Sequence, residues 1–134
     1  MSVNFPVGGP SPELIEAMAR DAIRAMPDGI RSHLDAVVLK IEEFADHATL
    51  DQLGLTDPLT LSGLYTGRPL GDKSVHDSGS IPDMIQLYRR PILAEARAEG
   101  IAVERLVAHV LIHEVGHHFG FSDADMHAIL DTDD

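Results

Sequence analysis

The amino-acid sequence predicts an α+β protein, and three observations carry that prediction. Val37, Leu39 and Ile41 alternate with Val38, Lys40 and Glu42, the period-two pattern of a half-buried strand. Two shorter runs, 61–66 and 84–88, read as further strands. Helical patterns lie before and after these runs, so the expected order is α-β-β-β-α-α-α. The expected architecture is a small, mostly antiparallel or mixed sheet packed on helices, with one helix central.

Each element has a local cause. Ser11-Pro12-Glu13 opens the first helix, with Ser11 as cap and Pro12 in the first turn. Leu14, Ile15, Met18, Ala22 and Ile23 form its apolar side, and Pro27-Asp28-Gly29 stops it. In the third strand, Ile85 and Leu87 are expected to face the core. Between the second and third strands, residues 71–80 are polar and rich in glycine and serine, which predicts a mobile loop beside the cleft. His76 and Asp77 in that loop are left out of any site, because a lone His-Asp pair on a loop is usually without function. Pro91 starts the next helix and Gly100 ends it.

The helix that begins near Ile101 carries the chemistry. Val103, Leu106, Val107, Val110 and Leu111 fall on one stripe that faces a core. One turn further, that stripe reaches Glu114 and His117, with His113 at its edge. Ile112 and Val115 lie on the other side, which predicts cover on more than one face. A carboxylate carried into an apolar face is costly without a partner, and a metal centre with its water compensates it.

Residues 113–123 read H-E-x-x-H-x-x-G-x-x-D. Two histidines four apart lie on one helical face and can present imidazole nitrogens to one ion. Glu114, rotated about the axis, can address water at the ion instead of the ion itself. Gly120 lets the chain leave the helix, so that Asp123 can return as a third, oxygen ligand. Three protein ligands and an open position suit a catalytic zinc site, whereas four close a structural one. A chain of this composition matches the whole pattern by chance with a probability on the order of a few in ten thousand.

Asp123 also has a purely structural explanation. Ser122-Asp123-Ala124-Asp125 reads as a helix start with acids in the first turn. His127, one turn beyond, is the rival ligand or a partner behind the ligands. His118 points away from the site, and His109 cannot join His113 and His117 on one ion because three turns do not converge. His109 is expected to be partly buried.

These segments resemble the small bacterial zincin-like metallopeptidases, also called minimal metalloproteases. The similarity rests on Leu64-Tyr65-Thr66-Gly67 with Pro69-Leu70, on residues 81–90, and on Val110 to Asp123 with His127, in the family's order. It covers the chain from about residue 12 to 130. The resemblance implies a compact minimal zincin-like fold around a central H-E-x-x-H helix. It implies one Zn2+ per chain held by His113, His117 and Asp123, with Glu114 as catalytic base. The implied activity is that of a zinc metallopeptidase acting on a peptide or protein substrate. The larger metzincins differ, having His at the eleventh motif position and a methionine turn well downstream. Here Asp123 stands there, only eleven residues follow, and Met126 is too close to form a separate floor. Tyr65 and Tyr88, the only tyrosines, are candidate donors to a developing oxyanion.

Two other classes compete with the peptidase. One is a zinc-binding regulatory or interaction protein with little turnover, marked by a fourth protein ligand such as His127. The other is a metal-dependent nuclease, which would carry a third His and a basic surface. The chain has 22 acids, 10 bases and a formal net charge of −12, which argues against a nucleic-acid partner. Its 134 residues suit a single domain, residues 1–134, with 1–10 and 131–134 expected as flexible ends. It has no Cys, which excludes disulfides and a thiolate metal site. No signal peptide or membrane-spanning run is visible, so a cytoplasmic protein without membrane contact is expected. Nothing specifies an oligomer, and a monomer is compatible with the sequence.

Overall fold

The structure is a computed structural model that describes residues 9–67 and 83–119. It bears out the α+β class: helices surround a three-stranded mixed sheet. Helix α1 spans Pro12–Arg24, and the Ser11 side chain accepts a hydrogen bond from the Leu14 N–H as its cap. A short helix α2, Asp28–Arg31, continues into a 3-10 turn, Ser32–Leu34, before strand β1, Val38–Glu42. Helix α3, His47–Gln52, and a 3-10 turn, Pro58–Thr60, lead to strand β2, Gly63–Thr66. Strand β3, Met84–Tyr88, runs directly into helix α4, Arg89–Glu99, and helix α5, Val103–Phe119, carries the motif. The expected loop at 71–80 and the expected last helix lie outside the described residues.

Helix α4 begins two residues before Pro91. Proline is tolerated anywhere in the first turn, where its missing N–H would have no intrahelical partner. Gly100 ends the helix as expected, in a left-handed conformation with φ of +67°. Helix α3 was not expected from the sequence. Its cap is Asp46, whose Oδ1 accepts the Thr49 N–H at 2.8 Å. Only Leu50 of that helix is buried, so its apolar stripe is too short to show a period.

The sheet order is β1-β3-β2, with β1 parallel and β2 antiparallel to the central β3. On one face Ile85 and Leu87 meet Ile15, Ala19, Ile92, Leu106, Val107, Val110 and Leu111 in the main core. On the other, Tyr88 packs with Ala45 and Leu50, and with Leu61 and Leu64 at the margin. Helix α1 buries Ile15 and Ala19, while Leu14, expected in its apolar side, is exposed. Helix α5 packs against α1, α4, β2 and β3, so the motif helix is covered on several sides. Pro10, at the boundary of the expected N-terminal end, is fully buried, and its carbonyl accepts from Arg89 Nε at 2.6 Å.

The pairing of β2 fixes which of its groups turn outward. The Tyr88 N–H donates to the Ser62 carbonyl at 2.9 Å, and Leu64 stands opposite Gln86 in the same register. Main-chain bonds alternate along an antiparallel pair, so Leu64 and Thr66 turn theirs to β3. Gly63 and Tyr65 therefore turn their N–H and C=O away from the sheet, at its edge. Helix α5 comes close to the strand at Gly63. A Cβ at that position would lie 2.6 Å from Val110 Cγ1 and 3.4 Å from Glu114 Cγ.

A side chain at Gly63 must therefore push α5 off β2. Gly63→Ala is expected to lower stability by about 1–3 kcal/mol, the usual cost of overpacking. Urea unfolding checks it, and an unchanged midpoint would mean the contact yields without resistance.

Candidate functional site

Helix α5 carries His113, Glu114 and His117 along successive turns. The stripe read from the sequence holds: Leu106, Val107, Val110 and Leu111 are in the core, and Val103 is packed against it. Glu114, next on that stripe, is only 8 % exposed. Val115 is buried as well, on a different side of the helix. His117 is more open than its place on the stripe suggests, with 53 % of its side chain exposed. Histidine at a site mouth can keep an apolar ring edge inward and a nitrogen outward. His109 is exposed, not partly buried, and its ring meets that of His113 edge-on, with centroids 4.6 Å apart.

The Glu114 carboxylate is the electrostatic centre of this arrangement. Burial pushes its pKa up, while His117, the Tyr65 main-chain N–H and His113 pull it down. Its Oε1 lies 3.3 Å from His117 Nδ1, and the Tyr65 N–H donates to the carboxylate from the outward edge of β2. The structure thus brings together the three motif residues that lie in the described region. Among the described residues, no three His, Asp or Glu side chains form a metal cluster. Gly120, Asp123 and His127 lie outside the described residues, so the expected third ligand and its rival do too.

The tyrosines occupy other roles than the expected one. Tyr88 is 1 % exposed and sealed in the smaller core cluster, where no substrate can reach it. The Tyr65 hydroxyl donates to the Asp83 carboxylate, and so is already engaged. Sequence reading gave Asp83 no role of its own, although it lies in the run 81–90 that carries the resemblance. By itself it reads as a carboxylate one residue ahead of a strand, the position of countless surface aspartates.

The donor set fits zinc. Two imidazoles sit four residues apart on one helix, beside a buried carboxylate that no Lys or Arg contacts among the interactions of the described residues, and the chain holds no thiolate. The sequence model of the zincin-like metallopeptidase family matches residues 34–132. The chain belongs to that family. Membership implies zinc binding and peptide or protein substrates. No curated protein matches the chain. Among the described residues, no helix is long and apolar enough to cross a membrane.

Both phenols should hold their protons past the ordinary range. Burial first, and then neighbouring carboxylates, raise Tyr65 and Tyr88 from about 10 to about 12. Between those values the unfolded chain binds fewer protons than the folded one, so stability falls as pH rises from 10 towards 12. Ultraviolet titration of phenolate should lag that of the urea-unfolded chain, with urea midpoints falling over the same window. Coincident titration curves would contradict the buried setting of Tyr88 and the half-buried, carboxylate-facing setting of Tyr65.

Proposed function

We propose that this protein is a zinc-dependent peptidase in which His113, His117 and Asp123 hold one zinc ion and Glu114 is the general base. The observation that carries the reading is the buried Glu114 carboxylate, set beside the two motif imidazoles at the end of the core stripe and held by a main-chain N–H of β2. A structural helix gains nothing from a carboxylate there, because burying that group costs several times what an apolar side chain would contribute. Zinc, when bound, polarises a carbonyl and makes water acidic near neutral pH.

The remaining chemistry belongs to the chain. Burial makes Glu114 a stronger base than an exposed glutamate, and the imidazoles and the Tyr65 N–H keep it ionised enough to act. Glu114 takes a proton from the attacking water and delivers it to the leaving amine nitrogen, so the carboxylate is regenerated in each cycle. The strand beside it is β2, an edge of the sheet with the main-chain groups of Gly63 and Tyr65 turned outward. With the Tyr65 N–H given to Glu114, an extended peptide laid along that edge can pair with the remaining outward main-chain groups, those of Gly63 and the Tyr65 carbonyl, and pass the imidazoles.

Purified protein is expected to hold about one zinc per chain. His113→Ala should lose it in elemental analysis, and full retention would remove the site. Glu114→Gln should keep zinc and abolish hydrolysis of a denatured protein or a peptide library. Equal turnover in wild type and Glu114→Gln would favour a zinc-binding regulatory protein instead.

Asp123 is tested by a competitive chelator titration of Asp123→Ala and Asp123→Asn. As a ligand, its loss should weaken zinc strongly in both. As a first-turn residue alone, it should cost about 0.3–1 kcal/mol of stability and leave zinc binding intact. Unchanged affinity in both variants would make His127 the next residue to replace.

A further inference from the structure

Asp83 is a buried carboxylate that the mechanism does not use. It is 6 % exposed and stands at the entry to β3, with its carbonyl accepting from the Val38 N–H of β1 at 2.9 Å. The Tyr65 hydroxyl donates to its carboxylate across the β2–β3 pair. Gly67 makes room for the contact. It has φ of +143°, and a Cβ there would lie 2.2 Å from Asp83 Oδ1 and 3.0 Å from the Tyr65 hydroxyl. Three residues from two strand ends therefore converge on one hydrogen bond, and a side chain on Gly67 would expel the carboxylate.

The same tyrosine reaches Glu114 through its other donor. Its main-chain N–H turns outward at the edge and donates to the Glu114 carboxylate. Among the described residues, β2 has four residues and a strand neighbour on one side, so its outward edge is less constrained than that of a central strand. Anchoring the phenol to a buried carboxylate beside β3 removes that freedom. Gly63, two residues earlier, sets how near α5 approaches.

We propose that Asp83 and Tyr65 form a positioning pair for Glu114. Asp83 holds the phenol, the phenol fixes the edge of β2, and the Tyr65 N–H thereby orients the carboxylate. This rests on the reading of Glu114 as the base for its meaning, but the bond itself is tested without zinc or turnover. Asp83 touches neither substrate nor reacting atoms in this scheme, and acts through Tyr65.

Amide hydrogen exchange followed by NMR on the full chain, with and without zinc, decides it. In the wild type the Tyr65 amide should be protected although it points away from β3, and Glu114→Ala should abolish that protection. Tyr65→Phe removes only the hydroxyl and should speed exchange at residue 65 about tenfold, while Leu64, bonded inward to β3, stays protected. Asp83→Ala should do the same, and Asp83→Asn, which keeps an acceptor oxygen, should restore most of the protection. With a cleaved peptide, Tyr65→Phe should lower kcat and leave KM and zinc content unchanged.

Equal exchange at residue 65 in the wild type and Glu114→Ala would show that the bond is absent and overturn the proposal. So would protection lost in Glu114→Ala but kept in both Tyr65→Phe and Asp83→Ala. Should Asp83→Ala fail to fold, Tyr65→Phe and Asp83→Asn carry the decision. A wild type that hydrolyses no peptide overturns the peptidase reading, and the exchange result still stands.

Discussion

The close approach of α5 to the edge of β2 is the constraint on which the rest of the structure depends. An ionised carboxylate taken from water must be met by donors or by opposite charge, or it neutralises itself. Glu114 is met from two sides, by imidazoles on its own helix and by a main-chain N–H from the strand. The second of these is possible only if strand and helix nearly touch. Gly63 allows that contact, since any Cβ at that position would overlap Val110.

Several features of the fold follow from holding that contact. An edge strand offers outward N–H groups that a central strand has already spent on neighbours, and β2 is the outer strand among the described ones. Central β3 then carries two buried core residues, Ile85 and Leu87, in the same core as that helix. Helices α1 and α4 close on α5 from its other sides, which keeps the motif helix from tilting away. Arg89 ties the sheet's end to the rest: it donates to the Pro10 carbonyl at 2.6 Å and to Glu43 at 2.8 Å. A guanidinium this buried is satisfied by an ion pair and a carbonyl together, which no lysine could match with the same fixed fork.

Much of this was legible in the residues. Ser11-Pro12 announced α1, and the alternation at residues 84–88 marked β3 over the same residues as observed. The stripe from Val103 to Leu111 placed Glu114 inside, because helical period alone fixes that direction. What stayed hidden depends on long-range pairing. Nothing local says that β3 lies between β1 and β2, or that Tyr65 is turned outward, since both follow from register. Helix α3 escaped because its single buried residue, Leu50, leaves no period to read. Tyr65 and Tyr88 looked equivalent as strand aromatics, and only opposite faces of the sheet separate their roles.

Tyr65 shows why residue identity at this edge is narrower than strand propensity suggests. Its main-chain N–H serves Glu114 and its hydroxyl serves Asp83, so one residue satisfies two buried carboxylates. Phenylalanine would fit the strand equally well and leave Asp83 without that donor. Serine or threonine would carry a hydroxyl too short to cross the sheet pair. Lysine would bring a charge and three rotatable donors, but no rigid ring to hold the strand. The chain has only two tyrosines, and one of them stands where both of its donors are used. Two carboxylates kept out of water beside one short strand are costly to arrange, and a fold gains from that arrangement chiefly when one of them must act as a base.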